Sequence, residues 1–248
     1  MKISIITVVY NNELTISDAI DSVKAQTYRD IEYIVIDGKS TDNTLDILNS
    51  RKTDIQTLVS ESDNGIYDAM NKGVSIATGD VIGILNSDDF YADDKVIEEV
   101  AKEFSADPSL EILYGDLVYV NSGDKNKVVR KWNSHPYYND FFERGHVPPH
   151  PALFVRSQVY KKAGLFDTTY KLAADYEFMF RIFKIHKLKS KYINRLTVKM
   201  RLGGASNQSF KNIVKCNIEV FRTWKKHRIS APITLFPVRI FRRLSQFV

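Results

Sequence analysis

Over the first hundred residues, short β-branched runs alternate with apolar positions at helical spacing. No other feature constrains this chain as strongly, because the alternation belongs to a parallel sheet covered by helices on both faces. Ile3 to Val9 reads as a buried strand. Glu13 to Ala25 sets Ile16, Ala19, Ile20 and Val23 on one helix face, and Ile31 to Ile36 reads as the second strand, closing a β-α-β unit. Helix Asp42 to Leu48, strand Gln56 to Ser60, helix Ile66 to Ala77 and strand Val81 to Leu85 continue the pattern. The alternation then loosens. Ile112 to Val120 and Val128 to Trp132 read as strands around the turn Asn121-Ser122-Gly123-Asp124, Gly145 to Pro151 as an irregular loop, and Ala174 to Lys184 as a helix. With 248 residues, 44% of them hydrophobic, the chain can bury a full core, which excludes disordered, collagen-like and solenoid classes.

In open α/β sheets ligands bind beyond the carboxyl ends of the strands, where loops converge and helix N-termini point inward. Three polar loops meet that condition: Thr7 to Asn12, Asp37 to Asn43 and Asn86 to Asp89. Adjacent acids at a strand end point in different directions, so one of Asp88 and Asp89 can hold a hard cation such as Mg²⁺ or Mn²⁺. Water and substrate phosphates would complete its shell. The same acids can instead cap the helix that begins near Asp94. Asp37 is suited to a base or ribose hydroxyl, or to closing its own turn. In Glu61 to Gly73 polar residues gather at a helix start, while Ile66, Ala69, Met70 and Gly73 form an apolar face that reads as core.

Taken in order, a strand ending Thr-Val-Val-Tyr-Asn-Asn, an Ile-Asp-Gly-x-Ser-x-Asp-x-Thr loop, an Asn-x-Gly helix, a Leu-Asn-Ser-Asp-Asp strand end and a later Ala-Asp-Tyr-Glu helix start resemble family 2 glycosyltransferases over Lys2 to Ser206. The resemblance implies a GT-A (Rossmann-like) three-layer α/β/α fold with a mostly parallel sheet, a nucleotide-diphosphate-sugar donor (a UDP-sugar first), Mn²⁺ or Mg²⁺, and inverting chemistry. By position it implies Thr7 and Tyr10 in the base pocket, Asp37 on the uracil or ribose, and Asn71, Lys72, Asn86 and Ser87 on the donor side. It makes Asp88, with Asp89 beside it, the metal acid. Where members carry the first acid of the Asp-x-Asp motif this chain has Asn86, and where they often carry Arg before the asparagine it has Met70.

Asp175, in Ala173-Ala174-Asp175-Tyr176-Glu177, matches the family's catalytic base. The acceptor hydroxyl must lose a proton as the diphosphate leaves, so a base belongs on the opposite face of the anomeric carbon. The same acid also suits a helix N-cap. His150, in a proline-rich loop, is a candidate for acceptor or phosphate binding or an ordinary loop histidine. Gly203, Gly204 and Ser206 resemble the segment that closes over the diphosphate in family members, and otherwise form a loop before a helix from about Asn207.

The net charge of +5 conceals an asymmetry. Arg181 to Val248 holds 17 Lys+Arg against one acid, Glu219, leaving the first 180 residues at −11. We therefore expect a domain over 1–206 and a basic helical extension over 207–248, in which Phe236, Ile240, Leu244 and Phe247 recur at helical spacing beside Arg239, Arg242 and Arg243. Such a segment lies in a membrane interface or packs on the core with a solvated basic face. The single cysteine, Cys216, forms no internal disulfide, and neither an export signal nor a spanning stretch is apparent. The expected setting is cytoplasmic, peripheral on the inner face of the cell membrane, with a polyprenyl-diphosphate-linked glycan as acceptor. A dehydrogenase lacks its Gly-x-Gly-x-x-Gly here, a nucleotidyltransferase its glycine-rich basic loop, and a nucleic-acid binder any recognisable module. An inactive sugar-binding module is the rival reading.

Overall fold

The computed structural model describes residues 1–202 and 210–247. A first half holds β1 (Ile3–Val9), α1 (Ile16–Lys24), β2 (Ile31–Asp37), α2 (Thr44–Ser50), β3 (Thr57–Ser60), α3 (Ile66–Ile76) and β4 (Val81–Ile84). A second half holds β5 (Phe90–Tyr91), α4 (Val96–Ala106), β6 (Ile112–Val120), β7 (Val128–Trp132), β8 (Leu153–Arg156), α5 (Ser157–Ala163), α6 (Ala174–Phe180) and β9 (Ser190–Arg201), followed by α7 (Phe210–Lys226) and α8 (Leu235–Leu244). All join one sheet in the order β3-β2-β1-β4-β8-β6-β9-β5, with β7 also paired to β6.

The first four strands of that order are parallel, as the alternation requires. β8 runs antiparallel to both β4 and β6, and β9 returns parallel to β6. This mixed half is where the sequence pattern loosens. β9 in particular hides within the basic segment: only Ile193, Thr197, Val198 and Arg201 of its twelve residues are buried, so charged side chains interrupt any apolar run.

Successive strand residues point to opposite faces, and both faces are covered, which is why the central strands read as continuous apolar runs. Ile6, Val8, Ile34 and Ile36 meet α3, α5, α6 and α7. Ile3, Ile5, Tyr33 and Val35 meet α1, α2 and α4. At Gly73 α3 approaches β1 so closely that a Cβ would overlap Ile6 Cγ2.

Two element ends, and the packing of the basic extension, differ from the sequence pattern. α1 starts at Ile16 because Asn12 claims the residues before it: its carbonyl accepts the Ile16 N–H at 3.2 Å and its Oδ1 accepts the Thr15 hydroxyl at 2.7 Å. α6 gives way after Phe180 to one π-helical turn, Arg181–Ile185. The basic extension carries core residues: Val220, Trp224 and Leu235 are buried in the same cluster as α6, and Trp224 Nε1 donates to Tyr176 Oη at 2.9 Å. Glu219, the one acid of that segment, accepts the N–H groups of Lys171, Leu172 and Ala173 at 2.8–2.9 Å, fixing the chain just ahead of Asp175.

Candidate active site

The three polar loops at the strand ends are wired together around Asn12. Its backbone N–H donates to Thr44 Oγ1 at 2.8 Å, and its side-chain amide donates to Ser87 Oγ at 2.8 Å. Asn11 adds a second tie, its N–H donating to Ser40 Oγ at 2.9 Å and its Oδ1 accepting the Thr41 N–H at 2.8 Å. These bonds fix the loops before any ligand arrives, which lowers the ordering cost of binding.

A cleft of about 1000 Å³ opens above them. Tyr10, 61% exposed, and Asp63 line one end of it beside Asn86, Ser87 and Asp88. Gly38 makes room here, since a Cβ would come within 2.5 Å of Asp63 Oδ2 and 3.4 Å of the Tyr10 ring. Asp88 is half-buried, and burial raises its carboxyl above the usual range while the Arg201 charge partly offsets that. Arg201, from the end of β9, donates to the Asp88 carbonyl at 2.7 Å and pairs with Asp18, clamping the Asn86–Asp89 turn.

The donor set at this turn suits a hard divalent cation, although sparsely. Asn86 Oδ1 is a buried oxygen with no hydrogen-bond partner, and Asp88 lines the cleft beside it. Among the described residues no three His, Cys, Asp or Glu side chains gather as a protein-only metal cage. Substrate phosphates and water would have to complete the shell.

In the same cleft, Asp175 sits in the first turn of α6, and its Oδ1 accepts the Tyr67 hydroxyl at 2.9 Å. Burial, and then the Asp175 charge, push the Tyr67 phenol well above its ordinary value, so it keeps its proton and acts as a donor. His150 lies in a 3₁₀ turn, His150–Ala152, 8% exposed and edge-on to Phe166 at 5.6 Å. Burial lowers its pKa, with the Asp175 charge opposing, so it is held neutral.

Five side chains expected at the site are turned elsewhere. Thr7 is fully buried under the sheet, accepting the Tyr33 hydroxyl at 3.1 Å. The Asp37 carboxylate is consumed by its own loop, accepting from Ser40 Oγ at 2.5 Å, Ser60 Oγ at 2.6 Å and the Ser40 N–H. Asn71 makes a two-way bond with the Phe166 backbone, both contacts 2.9 Å, joining α3 to the loop after α5. Lys72 is tied to Glu61 at 2.9 Å and the Ser62 carbonyl at 2.8 Å, which braces the β3–α3 loop. Asp89 likewise points inward, 0% exposed and accepting the Asn86 amide at 2.9 Å, and does not line the cleft. Met70, where members often carry Arg, is buried core at the cleft floor. Gly203, Gly204 and Ser206 lie outside the described residues.

The structure adds residues that the sequence did not single out. Tyr67 and Asp63 belonged to a stretch read only as core face and helix start, and Arg201 carries no local signal at all. β7 and α8 supply a further wall with Arg130, Arg239, Arg242 and Arg243. α8 is held there by its own end: Lys131 N–H donates to the Gln246 carbonyl at 2.8 Å, and Phe247 forms a β-bridge with Arg130.

A doubly wound sheet with a cleft shared by an acidic strand end and a helix-borne carboxylate defines a GT-A transferase. The family described as "Glycosyl transferase family 2" matches residues 4–162, and the chain belongs to it. It is a glycosyltransferase, an enzyme of polysaccharide or glycoconjugate synthesis. One relative is the PGL/p-HBAD biosynthesis glycosyltransferase of Mycobacterium tuberculosis, 29% identical over 208 residues that cover 82% of this chain and 78% of that one. Another, an uncharacterized glycosyltransferase of the same organism, is 33% identical over 72% of this chain and 68% of that one. Among solved structures, S. aureus TarS 1-349 in complex with UDP-GlcNAc superposes with a TM-score of 0.68 at 17% identity, over 89% of this chain and 67% of that one. The chain spans 43% of TarS in its longer structure. The mannosyltransferase PcManGT from Pyrobaculum calidifontis, in complex with GDP-Man and Mn²⁺, superposes with a TM-score of 0.67 at 16% identity over 98% of this chain and 69% of that one. At these identities both share the fold.

Proposed function

We propose that the protein is an inverting transferase that moves one sugar from a nucleotide-diphosphate donor, a UDP-sugar, to a hydroxyl of a polyprenyl-diphosphate-linked glycan during surface polysaccharide synthesis. The observation that carries this reading is that Asp88 and Asp175 open into one cleft from different elements. Asp175 takes the proton of the acceptor hydroxyl as that oxygen bonds to the anomeric carbon from the face opposite the diphosphate. The carbon–phosphate-oxygen bond breaks and the nucleoside diphosphate departs. Tyr67 occupies Oδ1, which orients the carboxylate and leaves its other oxygen for the acceptor. Tyr10 and Asp63 take the base end. Asp88 and Asn86 Oδ1 would hold Mg²⁺ or Mn²⁺, which when bound supplies positive charge to the leaving diphosphate.

The test is a thermal-shift panel of UDP-, GDP- and dTDP-sugars with and without Mn²⁺ or Mg²⁺. A UDP-sugar at a hundred times its Kd, with metal, is expected to raise the melting temperature by roughly 5–10 °C, and Asp88→Ala to erase that shift. An equal shift in Asp88→Ala, or without metal, overturns the donor site.

The same reading sets the enzyme on the inner face of the cell membrane. No helix among the described residues is long and apolar enough to cross a membrane. α8, however, turns Phe241 (73% exposed) and Leu244 (64%) outward, with Ile233 (97%) just before it and Arg242 and Arg243 beside them. Apolar side chains flanked by arginines suit the headgroup region of an anionic bilayer. Phe241→Ser with Leu244→Ser is expected to weaken binding to phosphatidylglycerol vesicles by about tenfold or more in a sedimentation assay. Unchanged partitioning rejects the membrane contact.

A further inference from the structure

The loop that leads into α6 is held by one face of α7. Glu219, Arg222 and Lys226 recur at intervals of three and four residues, so they stand one above another on that helix. Lys226 Nζ donates to Asp167 Oδ2 at 2.9 Å. Arg222 Nη2 donates to Thr169 Oγ1 at 2.8 Å and Nη1 to the Thr169 carbonyl at 3.2 Å, with the guanidinium 4.5 Å over the Tyr170 ring. Glu219 Oε1 then accepts the Lys171 N–H at 2.9 Å, and its Oε2 accepts the N–H groups of Leu172 at 2.9 Å and Ala173 at 2.8 Å. The cations of this face meet loop acceptors, and its one acid meets loop donors. In a segment with 17 Lys+Arg, the lone acid stands where a cation would face three donors.

The three residues that Glu219 holds belong to the site. Lys171, Leu172 and Ala173 line the cleft, Ala173 is the N-cap of α6, and Asp175 follows in the first turn. Glu219 is not itself among the residues lining the cleft. In a capping box the N–H of the N-cap residue is taken by a Glu or Gln at the third helical position. Here that position is Tyr176, α6 has no side-chain cap of its own, and Glu219 supplies the carboxylate from another helix. Bonds from N–H groups to a carboxylate are shorter and about twice as strong as neutral ones. Asp175 is thus located from two sides. Tyr67 of α3 holds one of its oxygens, and Glu219 of α7 holds the backbone that carries it.

We propose that Glu219 is a positioning residue for glycosyl transfer: by clamping the backbone of Lys171, Leu172 and Ala173 it sets Asp175 where the acceptor hydroxyl gives up its proton to that carboxylate. This rests on the reading of Asp175 as the base and adds what keeps the base in place. It also gives the basic C-terminal segment a part in the reaction through its single acid.

Steady-state kinetics on the full chain test this. Misplacing a reacting group by about 1 Å can cost roughly 10²-fold in rate, so Glu219→Ala is expected to lower kcat by about 10- to 100-fold with donor KM unchanged. Glu219→Gln keeps an oxygen for the Leu172 and Ala173 N–H groups but turns an amide toward the Lys171 N–H, so its kcat should fall between those of the wild type and Glu219→Ala. It also serves should Glu219→Ala not fold. In an Asp175→Asn background Glu219→Gln should cost nothing further, since a group that acts through Asp175 has no base left to place. Val100→Ala opens a cavity in the layer of α1, α2 and α4, away from this loop, and is expected to keep the wild-type kcat. Hydrogen exchange supplies a readout without turnover: the Lys171, Leu172 and Ala173 amides should exchange at least about tenfold faster in Glu219→Gln. Wild-type kcat in both Glu219 variants overturns the proposal. So do wild-type protection of the three amides in Glu219→Gln, a rise in donor KM at unchanged kcat, a full further loss in the Asp175→Asn background, or an equal loss of kcat in Val100→Ala. Wild-type turnover by Asp175→Asn overturns the base and this proposal with it. Slow turnover by Asp175→Asn beside wild-type kcat in the Glu219 variants overturns the proposal alone, so the two failures are told apart.

Discussion

Asp175→Asn is expected to lower kcat by about 10²- to 10⁴-fold while leaving nucleotide-sugar binding in place. The substitution keeps the shape of the side chain and an oxygen able to accept the Tyr67 hydroxyl, so the first turn of α6 and the bond across to α3 persist. It removes the capacity to take a proton. On the proposed reading the donor is held by Tyr10, Asp63 and the Asn86–Asp89 turn and not by Asp175, so a thermal shift with donor and metal should match the wild type. Turnover near the wild-type rate overturns the assignment of the base. Loss of donor binding together with turnover would instead make Asp175 a structural residue. The N-cap role is not an alternative here, since α6 shows no side-chain cap bond.

What the sequence made legible followed from how buried each part is. The β1–β4 half is covered on both faces, so its strands are nearly pure apolar runs and its helices carry clean stripes. Beyond β4 the sheet mixes directions, and β9 carries charged residues that break the period. Site placement followed a similar divide. Tyr10, Asn86, Ser87, Asp88, His150 and Asp175 line the cleft as their position at strand and helix ends suggested. Asp37, Asn71 and Lys72 sit at equally suitable chain positions but spend their polar atoms within the protein. Spacing gives the position of a residue and not the partner its side chain finds. Tyr67 and Arg201 show the converse: each acts across more than 100 residues of sequence, on Asp175 and on the Asp88 carbonyl.

Glu177 is the residue whose role changed most between pattern and structure, and its removal should have the largest effect on stability. By sequence it is a helix first-turn acid, which would contribute a few tenths of a kcal/mol at an exposed N-terminus. In the structure it is 0% exposed and meets Arg181 at 2.8 Å, Lys226 at 2.9 Å and His227 at 2.9 Å. Two of those partners come from the end of α7 and the residue after it, so one carboxylate joins the basic segment to the helix that bears Asp175. Removing it leaves a cluster of cations around a buried hole. Glu177→Ala is therefore expected to cost about 3–5 kcal/mol, read by urea unfolding.

Its pH dependence has a definite sign. Burial acts to raise the Glu177 pKa, but the Lys226 hydrogen bond and the Arg181 charge more than offset that and hold it below its ordinary value in the folded state. Its contribution is therefore fully present above the unfolded pKa, about 4.3, and is lost as pH falls through the lower folded value. The stability gap between wild type and Glu177→Gln should be widest near neutral pH and close progressively below about pH 4. A gap that stays constant into acid would mean that packing, and not charge, joins α7 to α6, with Trp224 under Tyr176 and Phe180 as the surviving link.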